Sequence, residues 1–493
     1  MTTEKIVQKA PIGMIVILFI GAFVAFLNNT LLNIALPTIM KDFNITYSKV
    51  QWVTTGYMLV SGVLIPASAF FITRFKTKGL YITAMAIFTA GTVLAALSPN
   101  FGTLLAGRMI QAAGASVMSP LLMNVMLKSF PIEKRGAAMG TFGLVLFVAP
   151  AIGPTLSGYI IQSHDWRMLF EMIVPFAVIS LLLSVWKLEN ILDTRHVKLD
   201  YLSLVLSTVG FGGLLYGFSS AGDKGWSSPI VYGMIAVGAV GLVLFILRQL
   251  RMKEPMLQMR VYKYPMFALA SAISMILSMA MFAGMILTPA YVQSVRGISP
   301  LHAGLMLLPG ALVMAIMSPI TGRLFDKFGP KILAITGLVI TAVATYFLTQ
   351  LEVDSTYTFI ISIYTIRMFG ISLVMMPIMT NGLNQLPQEL NPHATAVNNT
   401  AQQVAGAIGT AILITIMDKH IVTRATELAA AAKEKAIQAG AAMSPDQVAA
   451  VKAQITQTAL LDGINYTFMV ATGITILALV LSFFLKRSKP FGK

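Results

Sequence analysis

The sequence predicts an all-α integral membrane protein of fourteen spans: two six-helix bundles with two further helices inserted between them, and both termini cytoplasmic. Three observations carry this expectation. Of 493 residues, 56% are hydrophobic and only 11% charged, against roughly a quarter charged in soluble chains. The apolar residues gather into fourteen runs, most of them near the ~20 residues that a bilayer crossing needs. Lys and Arg concentrate in alternate connecting segments, which fixes orientation.

In chain order the runs are 12–36, 50–73, 79–98, 102–127, 136–161, 168–186, 201–218, 230–247, 266–293, 301–321, 332–350, 358–384, 397–417 and 463–485. The first follows Lys5 and Lys9 but is longer than a signal-peptide core and lacks a small-residue cleavage site, so it reads as span 1. Inner segments then collect Arg74, Lys76, Lys78, Lys128, Lys134, Arg135, Lys187, Arg195, Arg248, Arg251, Arg323, Lys327, Lys331, Lys486 and Arg487. The outer segment 418–462 is Ala-rich with a break at Gly440 and Ser444-Pro445, a pattern for two short solvated helices. Residues 1–186 form the first bundle, 187–265 a linker holding two inserted spans, and 266–493 the second bundle with its outer hairpin.

Composition excludes several classes of activity. The net charge of +16 is spread over short loops rather than clustered on one face, as nucleic-acid binding would need. Cysteine is absent and the five His are scattered, so thiolate and zinc sites are not expected. Neither a P-loop nor an in-span acid pair is present, so the chain is not expected to be an enzyme or to hold a cofactor. The expected partners are a small-molecule substrate, protons and the lipid bilayer, with the chain a monomer and nucleic acid excluded.

Two local echoes mark the bundles as repeats. A basic loop after the second span of each reads Thr73-Arg74-Phe75-Lys76-Thr77-Lys78 and Gly322-Arg323-Leu324-Phe325-Asp326-Lys327-Phe328-Gly329-Pro330-Lys331. In the fourth span of each, Arg108 precedes Pro120…Asn124 and Arg367 precedes Pro377…Asn381. Repeated bundles of this kind place a binding site between the halves near the midplane.

The chain resembles the major facilitator superfamily, and within it the fourteen-span drug:proton antiporters of the lincomycin-exporter subgroup. Gly322–Lys331 is similar to the G-x-L-x-D-R/K-x-G-R/K loop of that family, whereas the copy at 69–78 has Thr73 where the Asp would stand. Arg108-Met109-Ile110-Gln111-Ala112-Ala113-Gly114 resembles R-x-x-Q-G-x-G, and Pro150-Ala151-Ile152-Gly153-Pro154-Thr155-Leu156-Ser157-Gly158 resembles the antiporter signature G-P-x-x-G-P-x-x-G-G. Trp166-Arg167-Met168-Leu169-Phe170 with Val174-Pro175 looks like W-R-W-I-F…V-P, and Leu27–Pro37 like L-D-x-T-I-V-N-V-A-L-P with Asn28 in place of Asp. The resemblance implies a major facilitator fold, proton-coupled export by alternating access, a peripheral sixth span, and a place for Arg108 in the cavity and proton relay.

The chemistry of single residues supplies further expectations. Proton coupling needs a group that titrates inside the membrane, and eighteen of the 19 acids fall in loops, tails or helix ends. Glu171, about five residues into span 6, is the expected protonation site, because an intramembrane ionisable group is a functional candidate by default; the competing reading pairs it with a neighbouring span or with Arg167 near the outer surface. Arg367 could bind a carboxylate or phosphate, or brace helices. Asn29 and Asn33 share a helix face beside Asn28, and with Gln111 they are expected to line the substrate cavity. Met375, one of many methionines in spans 9, 10 and 12, joins them as an adaptable apolar contact. Pro150, Gly153, Pro154 and Gly158 suit a tightly packed helix that seals the halves. Gly322, Arg323, Asp326, Lys327 and Gly329 are expected to form a conformational latch.

The sequence therefore reads as a proton-coupled exporter of amphipathic, drug-like compounds in a bacterial cytoplasmic membrane. An exporter of an endogenous metabolite, lipid or anionic signalling molecule is the alternative, and a non-transporting membrane sensor the alternative of another class.

Overall fold

A computed structural model of the protein describes residues 12–45, 47–131, 134–195, 200–253, 255–438 and 445–488. They form sixteen α-helices: α1 Ile12–Asp42, α2 Tyr47–Arg74, α3 Thr77–Ala96, α4 Phe101–Ser129, α5 Arg135–Ser163, α6 Met168–Glu171, α7 Ile173–Lys187, α8 Tyr201–Lys224, α9 Pro229–Arg251, α10 Pro265–Ala290, α11 Pro300–Phe328, α12 Pro330–Phe347, α13 Tyr357–Ser372, α14 Met375–Asn384, α15 Asn391–Gln438 and α16 Pro445–Ser482. Among the described residues, twelve segments are long and apolar enough to cross a membrane, with α6–α7 and α13–α14 each counting as one. The helices α5 and α10, of 29 and 26 residues, also exceed the ~30 Å hydrocarbon thickness at about 1.5 Å per residue. Inner and outer ends are named below from the Lys/Arg asymmetry of the sequence.

Local chemistry sets the helix ends. Pro229, Pro265, Pro300 and Pro330 open their helices, where the missing N–H costs nothing. Asn100 caps α4 by accepting the Thr103 N–H at 3.0 Å, and Thr356 caps α13 by accepting that of Phe359 at 3.3 Å. Gly329, at φ 79°, ends α11 and starts α12, a turn that only a residue without Cβ takes freely.

Two expected single spans are each broken in two by a proline. Pro175 has no N–H to give the carbonyl four residues back, at Glu171, and the helix is interrupted at Met172. Pro377 stands in the same relation to Leu373, where α13 stops before α14.

The halves are built separately and then joined. In the first, α3 lies on α4 and α2, α1 and α5 surround it, while α7 packs on α1 and α3 at the edge. In the second, α10, α11, α12, α13 and α16 pack together with the membrane part of α15. The principal joint is α5 on α11, with α2 on α15 completing it. The inserted pair α8–α9 is held backbone to backbone: a Cβ on Gly213 would strike Gly238, and one on Gly210 would strike Leu242. Small residues at such crossings let helices approach in the absence of a hydrophobic driving force. In place of two short separate helices, α15 runs unbroken from its apolar stretch to Gln438 and α16 begins at Pro445, the two extensions being clasped by Arg424 on Asp462 at 2.7 Å.

Candidate functional site

The joint between the halves is an antiparallel helix pair with a constant register. Gly136 of α5 faces Gly322 of α11, Gly140 faces Ser318, Pro154 and Thr155 face Gly304, and Gly158 faces Leu301. Approach is tightest at the inner end, where a Cβ on Gly322 would run into the Gly136 carbonyl. At the outer end it is looser but still close, with the nearest Leu301 side-chain atom 3.3 Å from a Cβ placed on Gly158. Ser318 donates its hydroxyl to the Gly140 carbonyl across the same seam.

One carboxylate closes the inner end. Asp326 accepts the backbone N–H groups of Gly136 and Ala137, each at 3.2 Å, at the N-terminus of α5. Those amides have no partner within their own helix, and the helix dipole favours an anion there. Arg487 donates to the Asp326 carbonyl at 2.7 Å, which fastens the chain after α16 to the same loop. Beside it Arg135, almost wholly buried, donates to the Leu127 carbonyl at 2.9 Å and reaches Asn384 of α14 at 3.4 Å. The expected charge network is thus corrected: Asp326 bonds α5 amides, while Arg323 and Lys327 are exposed. Gly322 supplies the close approach and Gly329 the turn. In the first half, Thr73 uses its carbonyl to hold the Arg195 N–H at 2.8 Å.

The two in-span arginines are fully buried. Arg108 donates to Gln111 at 2.9 Å and to the Val53 carbonyl at 3.5 Å, and lies 4.3 Å from the centre of the Tyr57 ring. Gln111 passes the chain on to Thr92 of α3 at 2.8 Å. Arg367 donates to Thr345 of α12 at 3.1 Å and to the Ala280 carbonyl at 2.7 Å, its guanidinium lying against the bare Cα of Gly284. In both bundles, therefore, an arginine on the fourth span is tied to a threonine on the third. Each keeps one nitrogen without a partner, Nη2 in Arg108 and Nη1 in Arg367. This is the bracing arrangement with one donor left over.

The amides of span 1 are inside. Asn28 is 1% exposed with Nδ2 unpaired, and Asn29 is half-buried with Oδ1 unpaired. The side chains of Asn33 and Pro150 lie outside the described residues. The proposed seal divides in two: Gly153 receives Thr30 of α1, whereas Pro154 and Gly158 meet α11. Met375 is half-buried between the apolar clusters of the two halves, and its neighbours Met376 and Met379 belong to the first-half cluster. Sequence reading missed Asn398 of α15, which is 1% exposed with both amide atoms unpaired. The rule applied to span 1, amides within an apolar run, would have found it.

Glu171 is not in the interior, which corrects the expectation for it. It is exposed, and with Pro175, Val178 and Leu182 it forms a stripe of exposed residues facing away from the protein. The opposite stripe, Leu169, Phe170, Ile173, Ala177 and Ser180, carries the packing. Apolar residues win the buried face, and the carboxyl is left outside. Arg167 does not pair with it either. Its guanidinium meets Asp42 at 3.1 Å and the Ser98 carbonyl at 3.1 Å and lies over Trp166, whose N–H also goes to Asp42. The Trp-Arg pair is thus a clasp on the outer ends of α1 and α3.

Comparison with known proteins agrees with this architecture. The Major Facilitator Superfamily profile matches residues 18–410. The chain is 50% identical to the uncharacterized MFS-type transporter YhcA of Bacillus subtilis, over 83% of this chain and 77% of that protein. It is 43% identical to the lincomycin resistance protein LmrB of the same organism, over 99% of this chain and 98% of that protein. Among solved structures, the human organic anion transporter MFSD10 superposes with a TM-score of 0.66 at 12% identity, covering 96% of this chain and all of that one. An all-helical pair of bundles joined by α5 on α11, a profile match over most of the chain and a lincomycin resistance protein as near full-length relative lead to one conclusion: this protein belongs to the major facilitator superfamily, a family of transporters and not of enzymes.

Proposed function

We propose that the protein is a proton-driven exporter that removes amphipathic, drug-like compounds from a bacterial cytoplasm by alternating access. It would work as a monomer in the cytoplasmic membrane, with the proton gradient in place of a cofactor. The observation that carries this reading is the seam of α5 on α11, a glycine-notched joint between two bundles whose inner end is held by one carboxylate. Two bundles joined chiefly through antiparallel helix pairs can rock about them, and a latch at one end lets a single charge bias the two states. The resemblance to LmrB, a lincomycin resistance protein, supports a drug-like cargo.

Asp326 is the best-supported point of proton action. Glu171 is peripheral, and among the described residues no other carboxyl joins the halves through backbone amides. Protonation would remove the charge from the N-terminus of α5 and convert a two-amide acceptor into a weaker one. The inner gate would then open as the proton arrives and close as it leaves.

The test is lincomycin flux in proteoliposomes under an imposed pH gradient. Flux that a protonophore abolishes is the expected outcome. Flux indifferent to the protonophore would end the antiport assignment.

A second reading is favoured by one specific observation. Arg108 and Arg367 are buried cations, each with an unspent N–H, and such groups suit an anionic endogenous cargo. A deletion strain that accumulates an organic acid while keeping wild-type drug sensitivity would decide for it.

A further inference from the structure

The inserted pair α8–α9 touches both halves at once, on the side of the molecule where α2 meets α15. On α2, Leu215 sits in the notch of Gly62, Gly212 lies against Val63, and Tyr216 packs on Trp52 with ring centres 5.3 Å apart. On α15, the contact is nearly as broad as that on α2, and its side-chain anchors lie at the outer end of the pair. The indole N–H of Trp226 goes to the Thr415 hydroxyl, and Ala221 and Val231 form a small cluster with Ala411.

The hairpin cannot follow two partners that separate. Gly210, Gly213 and Gly217 press on the backbone of α9 so closely that a Cβ would clash at each, and packed interfaces of this kind shift between discrete states rather than stretch. When the outer ends of α2 and α15 part, one anchor must break. The two contacts are of similar extent, but the α2 anchor holds Leu215 interlocked in the Gly62 notch and a Trp52–Tyr216 ring pair, whereas the α15 anchor is one hydrogen bond and a smooth cluster of Ala221, Val231 and Ala411 backed by Phe218 and Ile235. We infer that α8–α9 is an outer-gate bolt: it rides with the first half and releases α15 at Trp226–Thr415 and Ala221–Ala411 each time the outer side opens. The inference rests on the alternating-access reading above.

The native chain has no cysteine, so paired thiols can be placed without background. One variant carries Gly62→Cys with Leu215→Cys, which joins α8 to α2. The other carries Ala221→Cys with Ala411→Cys, which joins α8 to α15. Both are linked with a short bis-methanethiosulfonate and released with dithiothreitol, so recovery after reduction shows that each variant is folded. Lincomycin efflux is read together with hydrogen–deuterium exchange at the outer ends of α2 and α15, which reports opening without any cargo. The α8–α15 link should cut efflux at least about tenfold and slow exchange at both ends, while the α8–α2 link leaves both within about twofold. Efflux and exchange that survive the α8–α15 link, or that the α8–α2 link arrests, overturn the bolt. Efflux absent from every variant, with exchange still answering to the α8–α15 link, would instead remove the lincomycin reading and leave the bolt standing.

Discussion

The carboxylate of Asp326 accepts the backbone N–H of Ala137 at 3.2 Å across 189 residues of chain. The two residues belong to different halves, and the bond lies where α5 exposes its unpaired amides. Asp326→Asn keeps the shape and one acceptor oxygen but removes the charge. An anion at a partly buried helix N-terminus contributes up to about 2 kcal/mol, so the inner gate should shift toward open by roughly tenfold or more. Accessibility of a cysteine at an inner-facing position of α5 should rise accordingly, and export should fall.

Gly322→Ala tests the seam itself. The added Cβ would meet the Gly136 carbonyl, and backbone cannot swing aside as a side chain can. Overpacking costs about 1–3 kcal/mol, all of it in the closed state. Transport should drop by more than about tenfold while membrane insertion and monodispersity stay at wild-type levels. Full activity would show that this end of α5 does not close on α11 during the cycle.

Glu171→Gln should leave pH-dependent efflux within about twofold of wild type, because surface substitutions away from partners are nearly neutral. The carboxyl is exposed on the outward stripe of α6–α7. Abolished efflux in this variant would return the coupling site to span 6.

Gly284→Ala should act as a disguised Arg367 variant. Its Cβ would fall within the Arg367 guanidinium, forcing the cation off Thr345 and the Ala280 carbonyl. Thermal unfolding in detergent should drop by an amount matching a loss of about 1–3 kcal/mol, and Arg367→Met should relieve part of it by removing the clash and the buried charge together.

Asp200, just ahead of α8, accepts two bonds from Arg248, at 2.7 and 3.0 Å. Chiefly through that guanidinium, its carboxyl is held at about 2 rather than 3.8. A depressed carboxyl stabilises the fold above its unfolded value and loses that contribution as pH falls toward its folded one. The gap in melting temperature between wild type and Asp200→Asn should therefore be flat through neutral pH and close between 3.8 and about 2. A gap that instead changes near neutrality would assign the effect to another group.

Much of the architecture is legible in the chain because a bilayer imposes one rule on every span. Backbone polar groups must be paired internally, so each crossing is a long apolar helix, and the fourteen runs read from the sequence correspond to helices in the structure. The two interruptions lie four residues before Pro175 and Pro377, but Pro66, Pro120, Pro309 and Pro319 stand in unbroken helices, so proline alone did not locate them. The burial of Asn28, Arg108, Gln111 and Arg367 follows from the same rule, as polar groups in apolar runs turn inward. Glu171 defeated it by standing beside a break near the membrane edge, where an exposed carboxyl costs little.

By itself the sequence determined the all-helical membrane character, the order of the apolar helices, and the repeat of an arginine in the fourth span of each bundle. These depend on composition and short-range spacing, which a single chain displays in full. Only the tertiary structure decided that Asp326 bonds the start of α5, that Glu171 faces outward, that Arg108 reaches Thr92 through Gln111 while Arg367 bonds Thr345 directly, and that α8–α9 bridges α2 and α15. Apart from the outward turn of Glu171, each of those facts is a meeting of residues from different helices. Apolar periodicity gives the direction a helix face points, but the partner it meets is set by which small residues let two backbones come close.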